Sequence, residues 1–85
     1  MELVLKDTAI EDIVYFKKTG NKNIQKKISL LISDTLKNPY SGLGKPEMLK
    51  HEFTGFWSRR ITIEHRMVYV VVENELHVIS LRGHY

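Results

Sequence analysis

Ionisable side chains gather near the end of the chain, at Glu64, His65 and Arg66 and again at His84 and Tyr85. Cutting an RNA phosphodiester by attack of its own 2′-hydroxyl needs a base for the hydroxyl proton, a cation at the phosphate and an acid for the leaving oxygen. Arginine suits the phosphate because its planar fork binds two oxygens and keeps its charge. Histidine suits the acid because it exchanges protons near neutral pH. These residue types fit phosphodiester chemistry if the fold brings them together.

A carboxylate to act as the base is offered by Glu47. It lies in a stretch from residue 38 to residue 50 that holds both prolines and is long enough to suggest a functional loop. Glu47 becomes a candidate base if this loop folds over the sheet. Plainer interpretations stay open, because a terminal His-Tyr pair is often a frayed end and Arg66 could form only a surface ion pair with Glu64. The basic residues nearby form either a phosphate track or a solvated rim: Lys45, Lys50, Arg59 and Arg60.

The composition of the chain excludes several kinds of functional site. The chain has 85 residues, a net charge of +3 and no cysteine, which excludes disulfides and thiolate metal sites and allows a polyanionic partner. The four histidines show no metal-binding spacing, and no serine-nucleophile elbow occurs, so we expect no metal and no cofactor. Neither a signal peptide nor an apolar run long enough to span a membrane is visible. We therefore expect a cytoplasmic protein.

Two helices are predicted in the first half. Thr8 and Glu11 have capping-box spacing and predict a helix start near Thr8, and Gly20 is suited to end that helix. Asn38-Pro39 stops the second helix. The apolar residues of the second helix recur with a helical period: Ile24, Ile28, Leu31, Ile32 and Leu36.

Strands are predicted for residues 3–5 and for 56–63, 66–72 and 75–81, the last three forming an antiparallel meander. Glu64-His65 is the first predicted turn, which places Arg66 opposite Ile63, and Glu73-Asn74 is the second. Residues near 66 then face residues near 81, so the tail lies beside Arg66. The predicted fold is α+β, a single domain over residues 1–85 with an N-terminal strand and a helical hairpin on one face of a small antiparallel sheet. Alternation in the first meander strand separates Trp57, Arg59, Ile61 and Ile63 from Ser58, Arg60 and Thr62.

Four segments resemble a known family. They are a G-K-P-E loop (44–47), an F-W-S-R-R-I strand (56–61), an E-H-R-M-V-Y strand (64–69) and the terminal H-Y pair. In this order they resemble the YoeB toxins, a branch of the RelE-like toxins of bacterial toxin–antitoxin systems. The resemblance covers the whole chain. It implies a RelE-like fold and a microbial-ribonuclease-like active site that cleaves messenger RNA in the ribosomal A site.

The resemblance also implies a role for each matching residue. Glu47 matches the general base, Arg66 the phosphate-binding residue, His84 the general acid and Tyr85 a residue that positions the substrate. Further residues are expected to bind RNA or the ribosome or to support the site: Lys45, Lys50, Arg59, Arg60, Glu64 and Arg82. The implied partners are a YefM-type antitoxin, the ribosome with its A-site mRNA and a second copy of the chain, with operator DNA reached only through the antitoxin.

Two other functions compete with mRNA cleavage. A toxin relic that only binds antitoxin and represses an operator would need the basic rim and no chemistry. A gyrase inhibitor of the same superfamily would lack the paired base and acid, so the presence of both Glu47 and His84 argues against it.

Overall fold

A computed structural model describes residues 1–83, in which two helices cover one face of a five-stranded sheet. The α+β class predicted from the sequence is confirmed. The sheet is mixed, with strand order β1-β5-β4-β3-β2. The elements are β1 (Glu2–Leu5), α1 (Asp7–Lys18), α2 (Lys22–Lys37), β2 (Glu47–Met48), β3 (Trp57–Arg60), β4 (Arg66–Val72) and β5 (Glu75–Ser80).

Helix α1 begins one residue earlier than its predicted cap. It starts at Asp7, and no side chain caps its first turn. The capping box predicted for Thr8 and Glu11 is therefore wrong. An acidic residue at this end suits the partial positive charge of a helix N-terminus. Gly20 ends the helix in the left-handed region, with φ of 70°, as predicted.

Helix α2 has the side-chain cap that α1 lacks. The side-chain oxygen of Asn21 accepts a hydrogen bond from the backbone N–H of Ile24 at 3.1 Å, which satisfies one of the donors left free at a helix start. The helix ends before Asn38-Pro39, as predicted. Neither helix within residues 1–83 is long and apolar enough to cross a membrane.

The predicted meander forms the centre of the sheet, as β3, β4 and β5. Two edge strands complete it. Strand β1 pairs with β5 in parallel, with Leu3 opposite Leu76, so the expectation of a purely antiparallel sheet is wrong. Strand β2 comes from the predicted loop and pairs with β3. The loop is therefore fixed to the sheet at the residue that carries the candidate base.

The first hairpin is wider than predicted. Arg66 pairs with Arg60 rather than with Ile63, because a turn over residues 61–65 replaces the expected two-residue turn. Within it the backbone N–H groups of Ile61 and Thr62 both donate to the carbonyl of His65, at 2.9 and 3.1 Å. Ile63 is 86% exposed, so the predicted strand ends at Arg60.

The second hairpin turns at Glu73-Asn74, as predicted, with Val72 opposite Glu75. A shift in register between Val68 and Tyr69 leaves one extra residue on β5, which is a β-bulge.

The core lies between the helices and the face of the sheet that they cover. Its fully buried members include Phe16, Leu31, Met67, Tyr69, Leu76, Val78 and Leu81.

Candidate active site

Glu47 and Arg66 meet on the face of the sheet that the helices do not cover. Glu47 lies opposite Ser58 on β3, and Arg66 reaches the same serine from β4. The Nη1 atom of Arg66 donates to Ser58 Oγ at 2.8 Å and lies 3.3 Å from Glu47 Oε1. We call this surface, formed by Glu47, Ser58, Arg60 and Arg66, the open face.

The two charged groups differ in their freedom. The Arg66 side chain is 15% exposed and that of Glu47 is 56% exposed, so the guanidinium is held in place while the carboxylate stays accessible. An ion pair with one partner this open contributes little to stability, about 0–1 kcal/mol. A phosphate group could therefore replace the carboxylate on Arg66 at small cost. Glu47 would then stand beside the bound phosphate as a free base.

Positive charge is concentrated on the open face. Arg60 and Arg66 are directly opposite partners in the β3–β4 pairing, an arrangement of like charges that destabilises a sheet unless something offsets it. Glu47 and Ser58 provide part of that offset at Arg66. An anion bound between the two arginines would offset the remaining repulsion, so the arrangement favours an anionic ligand.

Arg59 does not belong to the open face. Its side chain is fully buried under the helices, where Nη1 forms an ion pair with Asp34 Oδ2 at 2.7 Å. The expectation that Arg59 contacts RNA or lines a basic rim is therefore wrong. The alternation in β3 already indicated this, because Arg59 shares a face with Trp57 and Ile61, which are apolar.

Arg59 instead fastens the loop that leads to Glu47. It donates to the carbonyls of Asn38, Ser41 and Leu43, the last two at 2.9 and 3.1 Å, and its Nε donates to the Tyr69 hydroxyl at 3.2 Å. These bonds fix the first half of the loop, so the segment before β2 enters the sheet from a defined position.

Asp34 and Tyr69 complete this network. The Leu43 N–H donates to Asp34 Oδ2 at 2.9 Å, and the Tyr69 hydroxyl donates to the carbonyl of Pro39 at 2.6 Å. The Leu43 N–H and then Arg59 lower the pKa of Asp34 below its ordinary value, so the carboxylate stays charged. Burial raises the pKa of Tyr69, which keeps its hydroxyl available as a donor. The sequence gives no sign of the role of Asp34, because its partner Arg59 lies 25 residues further along the chain.

We expect Arg59→Met to destabilise the fold by about 3 kcal/mol, since the change removes a buried guanidinium and with it the donor to three loop carbonyls, the Tyr69 hydroxyl and the partly exposed Asp34 carboxylate. In a domain this small, that corresponds to a fall of roughly 15 °C in the thermal unfolding midpoint. The matched control is Arg60→Met, the neighbouring exposed residue, which should change stability by less than about 0.5 kcal/mol. Equal midpoints for the two variants would contradict the role assigned to Arg59.

The remaining predicted residues are spread around the site. Lys45, Lys50 and Glu64 are exposed, the first two on either side of β2 and Glu64 in the turn over residues 61–65. Arg82 points elsewhere, because its guanidinium carbon lies 3.9 Å from the centre of the Tyr15 ring on α1. The structure therefore does not bring Arg82 to Glu47 and Arg66.

The tail begins next to Arg66. The carbonyl of Gly83 accepts from the Arg66 N–H at 3.2 Å, and the Gly83 N–H donates to His65 Nδ1 at 2.8 Å. His84 and Tyr85, the predicted acid and positioning residue, lie outside the described residues. Within residues 1–83, no three His, Asp or Glu side chains are arranged to hold a metal ion.

Comparison with known proteins identifies the family. Residues 5–85 match a family described as the YoeB-like toxin of bacterial type II toxin–antitoxin systems. The chain is 48% identical to Toxin YoeB of Escherichia coli K12 over 85 residues, which cover all of both chains. Among solved structures it resembles a YoeB/ParE toxin from Agrobacterium tumefaciens, with a TM-score of 0.95, 42% identity and full coverage of both chains.

A further relative has been solved in two assemblies. The chain is similar to YoeB of Staphylococcus aureus in a YoeB–YefM complex, with a TM-score of 0.88, 41% identity and coverage of 100% of this chain and 98% of that one. It is also similar to the S. aureus YoeB dimer, with a TM-score of 0.90, 40% identity and the same coverage. The chain belongs to the YoeB-like toxin family of bacterial type II toxin–antitoxin systems.

Proposed function

We propose that this toxin is a ribosome-dependent endoribonuclease that cuts mRNA in the ribosomal A site and so stops translation. The observation that carries the proposal is the Glu47 carboxylate, 3.3 Å from the Arg66 guanidinium on the open face. The pair offers a base and a phosphate ligand within the span of one nucleotide. Membership of the family supports the ribosome as the platform that presents the RNA.

In the proposed reaction the ribosome presents the RNA, and the proton transfers are carried out by side chains of the toxin. Glu47 takes the proton of the 2′-hydroxyl, whose oxygen attacks the adjacent phosphorus. Arg66 stabilises the negative charge on the phosphate oxygens, the term that often matters most in such reactions. The bond from phosphorus to the 5′-oxygen breaks, and His84 protonates that oxygen while Tyr85 positions the substrate. The products are a 2′,3′-cyclic phosphate and a 5′-hydroxyl end.

The assembly proposed for the toxin follows its relatives. We infer a homodimer, and a YefM-type antitoxin that neutralises it, from the S. aureus YoeB dimer and YoeB–YefM complex. Operator DNA would be reached only through the antitoxin. Two exposed cations, Arg60 on the open face and Lys50 after β2, are proposed to contact the RNA backbone or the ribosome.

Mapping of mRNA breaks in a purified translation reaction tests the proposal. The parent protein should cut mRNA on ribosomes, and Glu47→Gln should cut it roughly 10²–10⁴-fold more slowly, because the amide cannot take a proton. Glu52→Gln is the matched control, since it makes the same change at an exposed residue five positions along the same segment. It should cut at the parent's rate.

The alternatives have distinct outcomes. Intact mRNA on stalled ribosomes carrying the parent protein would overturn cleavage and favour a relic that only binds antitoxin. Inhibition of DNA supercoiling would favour the gyrase-directed function. Equal rates for Glu47→Gln and Glu52→Gln would show that Glu47 is not the base.

A further inference from the structure

Both backbone polar groups of Gly83 are held by two consecutive residues. Its N–H donates to the ring of His65 at Nδ1, 2.8 Å away, and its carbonyl accepts from the N–H of Arg66 at 3.2 Å. The second bond continues the pairing of neighbouring strands. The first is a side-chain contact that the sheet does not require. The two bonds thus restrain Gly83, the residue that directly precedes His84 and Tyr85 in the chain.

The imidazole that holds Gly83 is itself fixed. The backbone N–H of His65 donates to Thr62 Oγ1 at 3.1 Å, and the His65 carbonyl accepts from two backbone N–H groups of the turn over residues 61–65. The ring meets the Phe16 ring edge to face, with centres 5.1 Å apart. Phe16 is part of the buried core. The backbone of His65 is therefore held by the turn, and its ring packs against helix α1.

Gly83 needs such an anchor. It has φ of 78°, and a Cβ atom placed there would meet nothing within 4 Å among the described residues apart from its chain neighbour. A glycine without packed neighbours has wide conformational freedom, so packing does not fix the backbone conformation of Gly83. The two hydrogen bonds provide the restraint that packing does not.

The contact also assigns the protonation of His65. A backbone N–H can only donate, so Nδ1 must accept and carries no proton, and the neutral ring holds its proton on Nε2. We propose that His65, in this tautomer, is a positioning residue for mRNA cleavage: by holding the Gly83 N–H it restrains the residue that precedes His84 and Tyr85 in the chain. This inference rests on the proposed function and on the acid role of His84.

Two substitutions separate positioning from mere packing. His65→Leu keeps an apolar group against Phe16 and removes the acceptor. His65→Asn places an amide oxygen near the position of Nδ1 and keeps an acceptor. A displacement of about 1 Å in a catalytic group can cost about 10²-fold in rate. We therefore expect His65→Leu to lower kcat about 10²-fold with KM for programmed ribosomes unchanged, and His65→Asn to recover most of that loss.

A second measurement does not depend on activity. In the parent protein, nitrogen NMR shifts of the His65 ring should report a bare Nδ1 and a protonated Nε2, and the Gly83 amide should exchange slowly with solvent. Exchange of that amide should be faster in His65→Leu, with the thermal unfolding midpoint showing that the variant is folded. Unchanged exchange or an unchanged kcat in folded His65→Leu would overturn the proposal, as would a protonated Nδ1 in the parent. If the parent cuts no mRNA, the proposed function fails, and the ring shifts and amide exchange still decide whether His65 holds the tail.

Discussion

Replacing Arg66 with alanine is expected to slow mRNA cleavage by roughly 10²–10³-fold, the usual cost of removing one preorganised group that stabilises developing charge. Arg66 is the guanidinium that contacts both Ser58 and Glu47 on the open face, so a phosphate beside Glu47 would lose its nearest cation. The rate should be measured in single turnover with excess toxin on ribosomes carrying one defined mRNA. The thermal unfolding midpoint of the variant should change little, because the pair that it removes is partly open to solvent.

Two further variants sharpen the Arg66 experiment. Arg66→Lys keeps the charge but loses the planar fork, and should fall between the parent and alanine in rate. Lys26→Ala removes the same charge from an exposed position on α2 and should leave the rate unchanged. If Arg66→Ala and Lys26→Ala cut mRNA equally fast, Arg66 does not act at the phosphate.

Removal of His84 and Tyr85 should abolish toxicity while leaving the fold and antitoxin binding intact. The loss of a general acid alone is expected to cost roughly 10²–10⁴-fold in rate, and loss of the positioning residue adds to it. The fold should survive because the described core ends at Leu81 and the last described residue, Gly83, keeps its two hydrogen bonds. Cell growth after induction measures toxicity. Thermal unfolding tests whether the fold is intact, and titration with the antitoxin measures antitoxin binding.

The single variants apportion that loss. His84→Gln should lose most of the activity and Tyr85→Phe a smaller part, because only the first removes the proton donor. A truncated protein that unfolds would assign the tail a structural role. One that still kills cells would show that the acid lies elsewhere.

Local patterns in the sequence predicted the helices and the central strands well. A helical period or an alternation is a property of neighbouring residues, so predictions based on it do not depend on contacts with distant parts of the chain. The failures lie where a distant partner decides. Nothing within residues 3–5 indicates that β1 pairs with β5, and the two residues of β2 are too few to carry a pattern.

The candidate site shows the same division. Strand pairing predicted that residues near 81 lie beside residues near 66, and the Arg66 N–H does bond to the Gly83 carbonyl, although the predicted register was wrong at the first turn. Glu47 was a candidate only if its loop folded over the sheet. The loop instead adds the edge strand β2, and a network centred on Arg59 holds the segment before that strand. That network joins a helix, a loop and two strands through side chains far apart in sequence, and only the structure reveals it. The alternation of β3 nevertheless placed Arg59 correctly, on the same face of the sheet as Trp57 and Ile61.

The parallel pairing of β1 with β5 has a consequence for the order of events during synthesis. Strand β1 has no partner until β5 has been made, so the described sheet is incomplete until residue 80 has been synthesised. Contacts between such distant segments form late, because closing the intervening chain costs entropy before the contacts repay it. Gly83, whose bonds set the start of the tail, is made later still. A nascent chain therefore lacks the complete sheet and the bonds of Gly83 until residues 75–83 have been made.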